Sequence, residues 1–170
     1  MILADFSSLD AAKEWFSIND NVMGGLSRGR MTISPLGFGV FSGHISLANG
    51  GGFAAVRTNL ESTDLSEFTG IYIEIHGDAK RVKLNLKDDL ESDSCVYQAS
   101  FNVTEQLEHR AYGTWQKILL PFERFVARRR GIGLHGYQID LSHIKGVGLV
   151  VGNGQSGDFC LNVRTIGAYR

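Results

Sequence analysis

Asp20 and Arg57 are the residues whose charge and setting most invite chemistry. Asp20 stands in Asn19-Asp-Asn-Val-Met-Gly-Gly-Leu-Ser27, where polar turn-formers precede Met23 and the Gly24-Gly25 pair. Arg57 closes Asn49-Gly-Gly-Gly-Phe-Ala-Ala-Val-Arg57, in which Gly51 and Gly52 lead into Phe53 and an apolar run. Glycines permit positive φ and close backbone approach, so both segments read as tight loops. If the second feeds an alternating strand, Phe53, Ala55 and Arg57 share one face, and Ala54, Val56 and Thr58 the other. A guanidinium on the side of Phe53 needs solvent or a carboxylate, and Asp20 is the candidate partner. One use is architectural: a buried Asp20–Arg57 pair, with Asn49 capping its own turn, locks the two loops together at one end of the fold. The other is a polar notch in which Arg57 meets an anionic or hydroxyl-rich ligand. On either reading Asp20, Met23, Ser27, Asn49 and Arg57 form the candidate binding end, with Gly24, Gly25, Gly51, Gly52 and Phe53 as its scaffold.

Other chemistry-bearing segments are weaker. Asp88-Asp-Leu-Glu-Ser-Asp93 is an acidic loop. It lacks the Asp-x-Asp-x-Asp-Gly spacing of a calcium hand, so a solvated loop is favoured over a cation site. Arg128-Arg-Arg130 sits among Gly131, Gly133 and Gly136 and reads as a basic loop, either solvated or docking an acidic partner. The histidines at 44, 76, 109, 135 and 143 show no zinc-ligand spacing, and no metal or other cofactor is expected. Nucleophile elbows, phosphate-binding loops and strand-to-helix dinucleotide fingerprints are all missing. A glycosidase needs its two carboxylates close only in space, and the sequence singles out no such pair. A non-catalytic protein is expected.

The elements that must position these residues alternate with period two. Ile71, Ile73 and Ile75 oppose Tyr72, Glu74 and His76, and Val82, Leu84 and Leu86 oppose Lys83, Asn85 and Lys87. Similar runs occupy 41–47, 95–101, 147–151 and 159–163, with weaker ones at 30–34, 53–59 and 116–120. About nine short strands separated by Gly, Asn, Asp and Ser turns predict an all-β antiparallel sandwich. One to three short helices are expected: Ser8–Phe16, a turn opened by Pro121, and Thr104–Arg110. Trp115 begins an apolar strand and reads as a core anchor, whereas Trp15 suits either the core or an exposed sugar-stacking surface.

Composition narrows the function further. With 17 Lys+Arg against 18 Asp+Glu, the chain lacks the basic excess of a nucleic-acid binder. A chain of 170 residues suits one sandwich domain spanning 1–170. The longest apolar stretch is too short to span a bilayer, and the N-terminus has no basic, apolar leader. Reduced Cys95 and Cys160 and a cytoplasmic location are expected.

These motifs together carry a resemblance. Asp20-x-Val-Met-Gly-Gly-x-Ser27, Phe41-x-Gly43 and Asn49-x-Gly-Gly-Phe-x-x-Val-Arg57 resemble the signature of the complex I intermediate-associated protein family of thirty-kilodalton type. Trp115-Gln-Lys-Ile-Leu-Leu-Pro121-Phe122 and Gly157-Asp-Phe-Cys-Leu-Asn-Val163 are similar to that family's later strands. The resemblance implies a galactose-binding-domain-like jelly roll and a non-catalytic role in assembling respiratory NADH dehydrogenase. The implied partners are subunits or intermediates of that membrane complex, and the resemblance adds the mitochondrial matrix or a plastid to the cytoplasm as a location if a transit peptide has been removed. A carbohydrate-binding module on the same sandwich is the alternative from a different class.

Overall fold

The computed structural model describes residues 1–20, 24–77, 81–91, 93–103, 115–152 and 154–170. The strands in chain order are β1 (Ile2–Asp5), β2 (Trp15–Asn19), β3 (Arg28–Ser34), β4 (Phe38–Ile45), β5 (Ala54–Thr63), β6 (Gly70–Gly77), β7 (Arg81–Lys87), β8 (Val96–Asn102), β9 (Gln116–Pro121), β10 (Val126–Arg129), β11 (Ile132–Gly133), β12 (Ile144–Val151) and β13 (Gly157–Tyr169). They form two antiparallel sheets. One has six strands, ordered β3-β4-β13-β6-β9 with β1 added against β13; the other has seven, ordered β11-β10-β8-β7-β12-β5-β2. The expected all-β sandwich is therefore present, with every anticipated strand in place.

Alternation explains which side of each strand is buried. Ile71, Ile73 and Ile75 of β6 are fully buried, as are Val82, Leu84 and Leu86 of β7, Val147 and Leu149 of β12, and Leu161 and Val163 of β13. They meet between the sheets with Phe6, Phe41 and Leu120. Each such side chain contributes about 1.5–3 kcal/mol relative to exposure, so the inward faces hold the two layers together.

Helix signals gave only short 3₁₀ turns. The Ser8–Phe16 reading shrinks to Ala11–Glu14, and Trp15 and Phe16 instead open β2, paired with Thr58 and Arg57. Trp15 packs on Phe6 with ring centroids 5.4 Å apart, which makes it a core-side residue. Pro121, at φ −57°, ends β9 and precedes a turn over Phe122–Arg124 rather than lying within a helix, and Val126 then starts β10. The expected helix over Thr104–Arg110 lies outside the described residues. Among those residues, no helix is long and apolar enough to cross a membrane. Cys95 and Cys160 form no disulfide.

Trp115 corrects an expectation. It is not a core anchor but lies half-buried on the outward side of the six-stranded sheet. There the Arg164 guanidinium stacks on it at 4.2 Å and Phe38 meets it edge-on at 5.4 Å. Trp115 shares the parity of the exposed Lys117 and Leu119, so the alternation that turns Ile118 and Leu120 toward the core turns the Trp outward.

Candidate functional site

The two glycine loops meet at one end of the sandwich because β2 bridges the sheets. Ser17 Oγ donates to the Gly29 carbonyl at 2.7 Å, and Gly29 N donates to Asn19 Oδ1 at 3.2 Å, so side chains of β2 satisfy the start of β3. Asp20, directly after β2, is thereby fixed beside Ser27, directly before β3. Ser27 continues the connection: its hydroxyl donates to the Ser46 carbonyl at 3.1 Å and accepts from Ser46 N at 3.0 Å. Ser46 follows β4 and leads into the second glycine loop.

Asp20 is 1% exposed and sits where these segments converge. Its Oδ1 accepts from Ser27 N at 2.9 Å. Its Oδ2 accepts from Gly52 N at 2.6 Å and Phe53 N at 3.3 Å, while its carbonyl accepts from Gly25 N at 3.0 Å. One carboxylate thus staples the first loop to the second. Burial pushes the Asp20 carboxyl up, but hydrogen bonding from Ser27 and from the amides of Gly52 and Phe53 outweighs it and holds the group below its ordinary 3.8.

The flanking glycines serve two distinct ends. Gly24 adopts φ +81°, a left-handed conformation that other residues reach only with strain, and a Cβ there would meet none of the described residues within 4 Å. Gly25 and Gly51 have ordinary backbones, but a Cβ on either would run into the Asp20 carboxylate, 2.5 Å from Oδ2 in the case of Gly51 and nearer still to Cγ for Gly25. Asn49 does not cap its turn, which carries no side-chain cap; it forms the turn itself at φ 55° and is exposed. Met23 lies outside the described residues.

The expected Asp20–Arg57 ion pair does not form. The Asp20 carboxylate is engaged by three backbone amides, and the β5 alternation carries Arg57 to the outward face of the seven-stranded sheet. Arg57 stacks over Phe16, opposite it on β2, at 5.0 Å. Its Nε is buried without a partner, and burial lowers its pKa while Asp89 opposes that shift. Arg57→Ala is accordingly expected to cost only about 1 kcal/mol, the scale of a cation–π contact and its packing, as read by urea denaturation. A loss above about 3 kcal/mol would signal the buried pair after all.

Sequence reasoning missed three further residues. Leu26 and Leu47, on the two stapled segments, are 56% and 46% exposed. Lys87, read as part of an outward lysine row, is 2% exposed because the acidic loop folds over it. Lys87 Nζ donates to the Glu91 carbonyl at 2.8 Å and to Ser94 Oγ, and lies 3.4 Å from Asp89 Oδ1. The loop is therefore tied to the sheet rather than freely solvated. Arg130, at the β10–β11 turn, forks onto Asp93 of the same loop at 2.9 and 3.0 Å, so the basic run belongs to a hairpin. Among the described residues, no group of three or more His, Cys, Asp or Glu is placed to hold a metal ion.

The residues of the stapled end include the motifs of the first two loops, and the match extends well beyond them. The model of the family described as complex I intermediate-associated protein 30 matches residues 4–163. The chain belongs to that family. Solved structures similar to this family member include carbohydrate-binding modules and agarases. A family 11 module of a cellulosomal cellulase from Clostridium thermocellum superposes with a TM-score of 0.70 at 17% identity, covering 99% of this chain and 93% of that one. The family 11 module from the same organism, in complex with a β-1,3-1,4-mixed-linked tetrasaccharide, gives 0.67 at 19% identity, covering 99% and 96%. An exo-β-agarase gives 0.54 at 15% identity over 99% of this chain and 25% of its own length. At these identities the likeness establishes the galactose-binding-like jelly roll and nothing about ligands.

Proposed function

We propose that the chain is a non-catalytic protein-binding module that acts in the assembly of a respiratory NADH dehydrogenase, docking subunits or intermediates of that membrane complex. Family membership over nearly the whole chain is the observation that carries this reading. The stapled end supports it physically. A surface fixed by a buried carboxylate loses little entropy on docking, and Leu26, Leu47 and Asn49 present two apolar side chains and an amide on it.

Affinity purification from native cells in mild detergent tests the proposal. The wild-type chain is expected to recover NADH dehydrogenase subunits or their intermediates. The Leu26→Asp, Leu47→Asp double variant is expected to melt as the wild type does and to lose that recovery. Recovery of no such subunit by the wild type would contradict the reading.

A carbohydrate-binding role is the second reading, favoured by the fold shared with a module seen in complex with a tetrasaccharide. A saccharide screen by melting shift separates the two. A sugar at 100 times its dissociation constant adds about 2.7 kcal/mol of stability.

A further inference from the structure

The outward side of the seven-stranded sheet carries cations without counter-ions. Its register sets Arg57 on β5 beside Gly148 on β12, Gly148 beside Asn85 on β7, and Asn85 beside Gln98 on β8. Gln98 Nε2 donates to Asn85 Oδ1 at 2.8 Å. Arg81 and Lys83 share the outward parity of Asn85 along β7, and Arg128 on β10 stands opposite Val96, which shares the parity of Gln98. The intervening residues Val56, Leu149, Leu84, Ala99 and Ala127 face the core.

Among the described residues, no carboxylate lies within ion-pair distance of Arg57, Arg81, Lys83 or Arg128. Lys87 on the same face is already taken by Asp89. A chain with a formal net charge of −1 therefore concentrates an unbalanced basic field on one sheet face. Burial, then Arg128 and Arg81, pull the half-buried Lys83 ammonium below its ordinary pKa, so its influential charged neighbours repel it. The buried Nε of Arg57 lacks an acceptor. Such groups are unfavourable alone and become favourable when an anion arrives.

We infer that this face receives an acidic polypeptide segment of a partner protein, with Arg57, Lys83 and Arg128 meeting its carboxylates and Asn85 and Gln98 its backbone amides. The inference rests on the protein-binding reading above and adds a second contact to it. A neutral sugar fits less well, because the ring of Phe16 on this face is already covered by the Arg57 guanidinium. From β5 to β10 the cations span four inter-strand steps, about 19 Å at ~4.8 Å each, which an extended peptide of about six residues covers.

Fluorescence anisotropy on the purified full chain tests this with a labelled short peptide alternating glutamate and threonine. A lysine–threonine counterpart and polygalacturonate serve as comparison probes. The glutamate peptide is expected to bind, more weakly as salt is added, and the lysine peptide to stay free. Lys83→Gln and Arg128→Gln are each expected to weaken binding about tenfold, the loss of one charge-assisted hydrogen bond. Arg164→Gln, on the opposite sheet, is expected to leave it unchanged. Melting curves accompany each variant, and Arg128→Gln at the edge hairpin carries the test if Lys83→Gln loosens the fold. Failure of the glutamate peptide to bind at low salt, or binding indifferent to both substitutions, would overturn the inference. Polygalacturonate binding that needs Lys83, without peptide binding, would overturn the polypeptide occupant. The native purification reads Leu26 and Leu47 instead, so either experiment can fail while the other succeeds.

Discussion

Asp20→Ala is expected to lower stability by about 3–5 kcal/mol, because it strips the amides of Ser27, Gly52 and Phe53 of their acceptor at a buried position. For a chain of this size that corresponds to a fall of roughly 10 °C in melting temperature. Asp20→Asn keeps the shape but turns an amide donor toward amide donors, so it is expected to lose about 2–3 kcal/mol. Thermal and urea unfolding check both, and a change within about 0.5 kcal/mol would show that the staple is not needed. The same carboxylate gives a pH dependence of definite sign. Its folded pKa lies below the ordinary 3.8, so its contribution is fully present above that value. Stability from this group is lost as the pH falls from about 3.8 through the folded pKa. In Asp20→Asn that acid-side component is expected to vanish.

The second large effect concerns space rather than charge. Gly25→Ala and Gly51→Ala are each expected to cost about 3 kcal/mol, since the new methyl group must displace the Asp20 carboxylate and with it the amides it holds. Gly24→Ala, one residue away, meets no atom of the described residues within 4 Å and is expected to cost only the left-handed backbone strain of about 1–2 kcal/mol. The cause can be isolated by a double-mutant cycle. In an Asp20→Ala background the obstacle is gone, so Gly25→Ala is expected to cost about 2 kcal/mol less than in the wild type. Additive losses would mean that Gly25 is required for some reason other than the carboxylate.

The sandwich was legible because buried strands in a two-layer fold announce themselves by period-two alternation, as in Ile71–Ile75 and Val82–Leu86. The starts of β2 and β10 were not. A capping serine at Ser8 and a proline at 121 are strong local helix signals, yet Trp15–Asn19 pairs with β5 and Val126–Arg129 pairs with β8. In both places the packing gained by strand pairing outweighed the local helical preference. Missing β2 also hid the partner of Arg57, because only the β2–β5 register places Phe16 across from it.

The candidate site was legible by location and misread by mechanism. Two glycine-rich loops with one acid and one base suggested an ion pair, and the loops do meet at Asp20. What satisfies the acid, however, is backbone N–H, which has no side-chain signature. Its trace in the sequence is indirect: Gly25 and Gly51 are glycines because the carboxylate occupies the room a Cβ would need. Lys87 was hidden for a related reason, since alternation places it outward and only the fold of the following loop buries it.

Hydrogen exchange by NMR at the amides of Ser27, Gly52 and Phe53 measures the staple itself. In the wild type at neutral pH these amides are expected to exchange slowly and at similar rates, although they lie on separate loops. In Asp20→Asn all of them should lose protection together, while core amides such as those of Ile73 and Leu84 keep theirs. Exchange at open-loop rates in the wild type, or protection that survives the substitution, would contradict the claim that one carboxylate makes these loops a single rigid end.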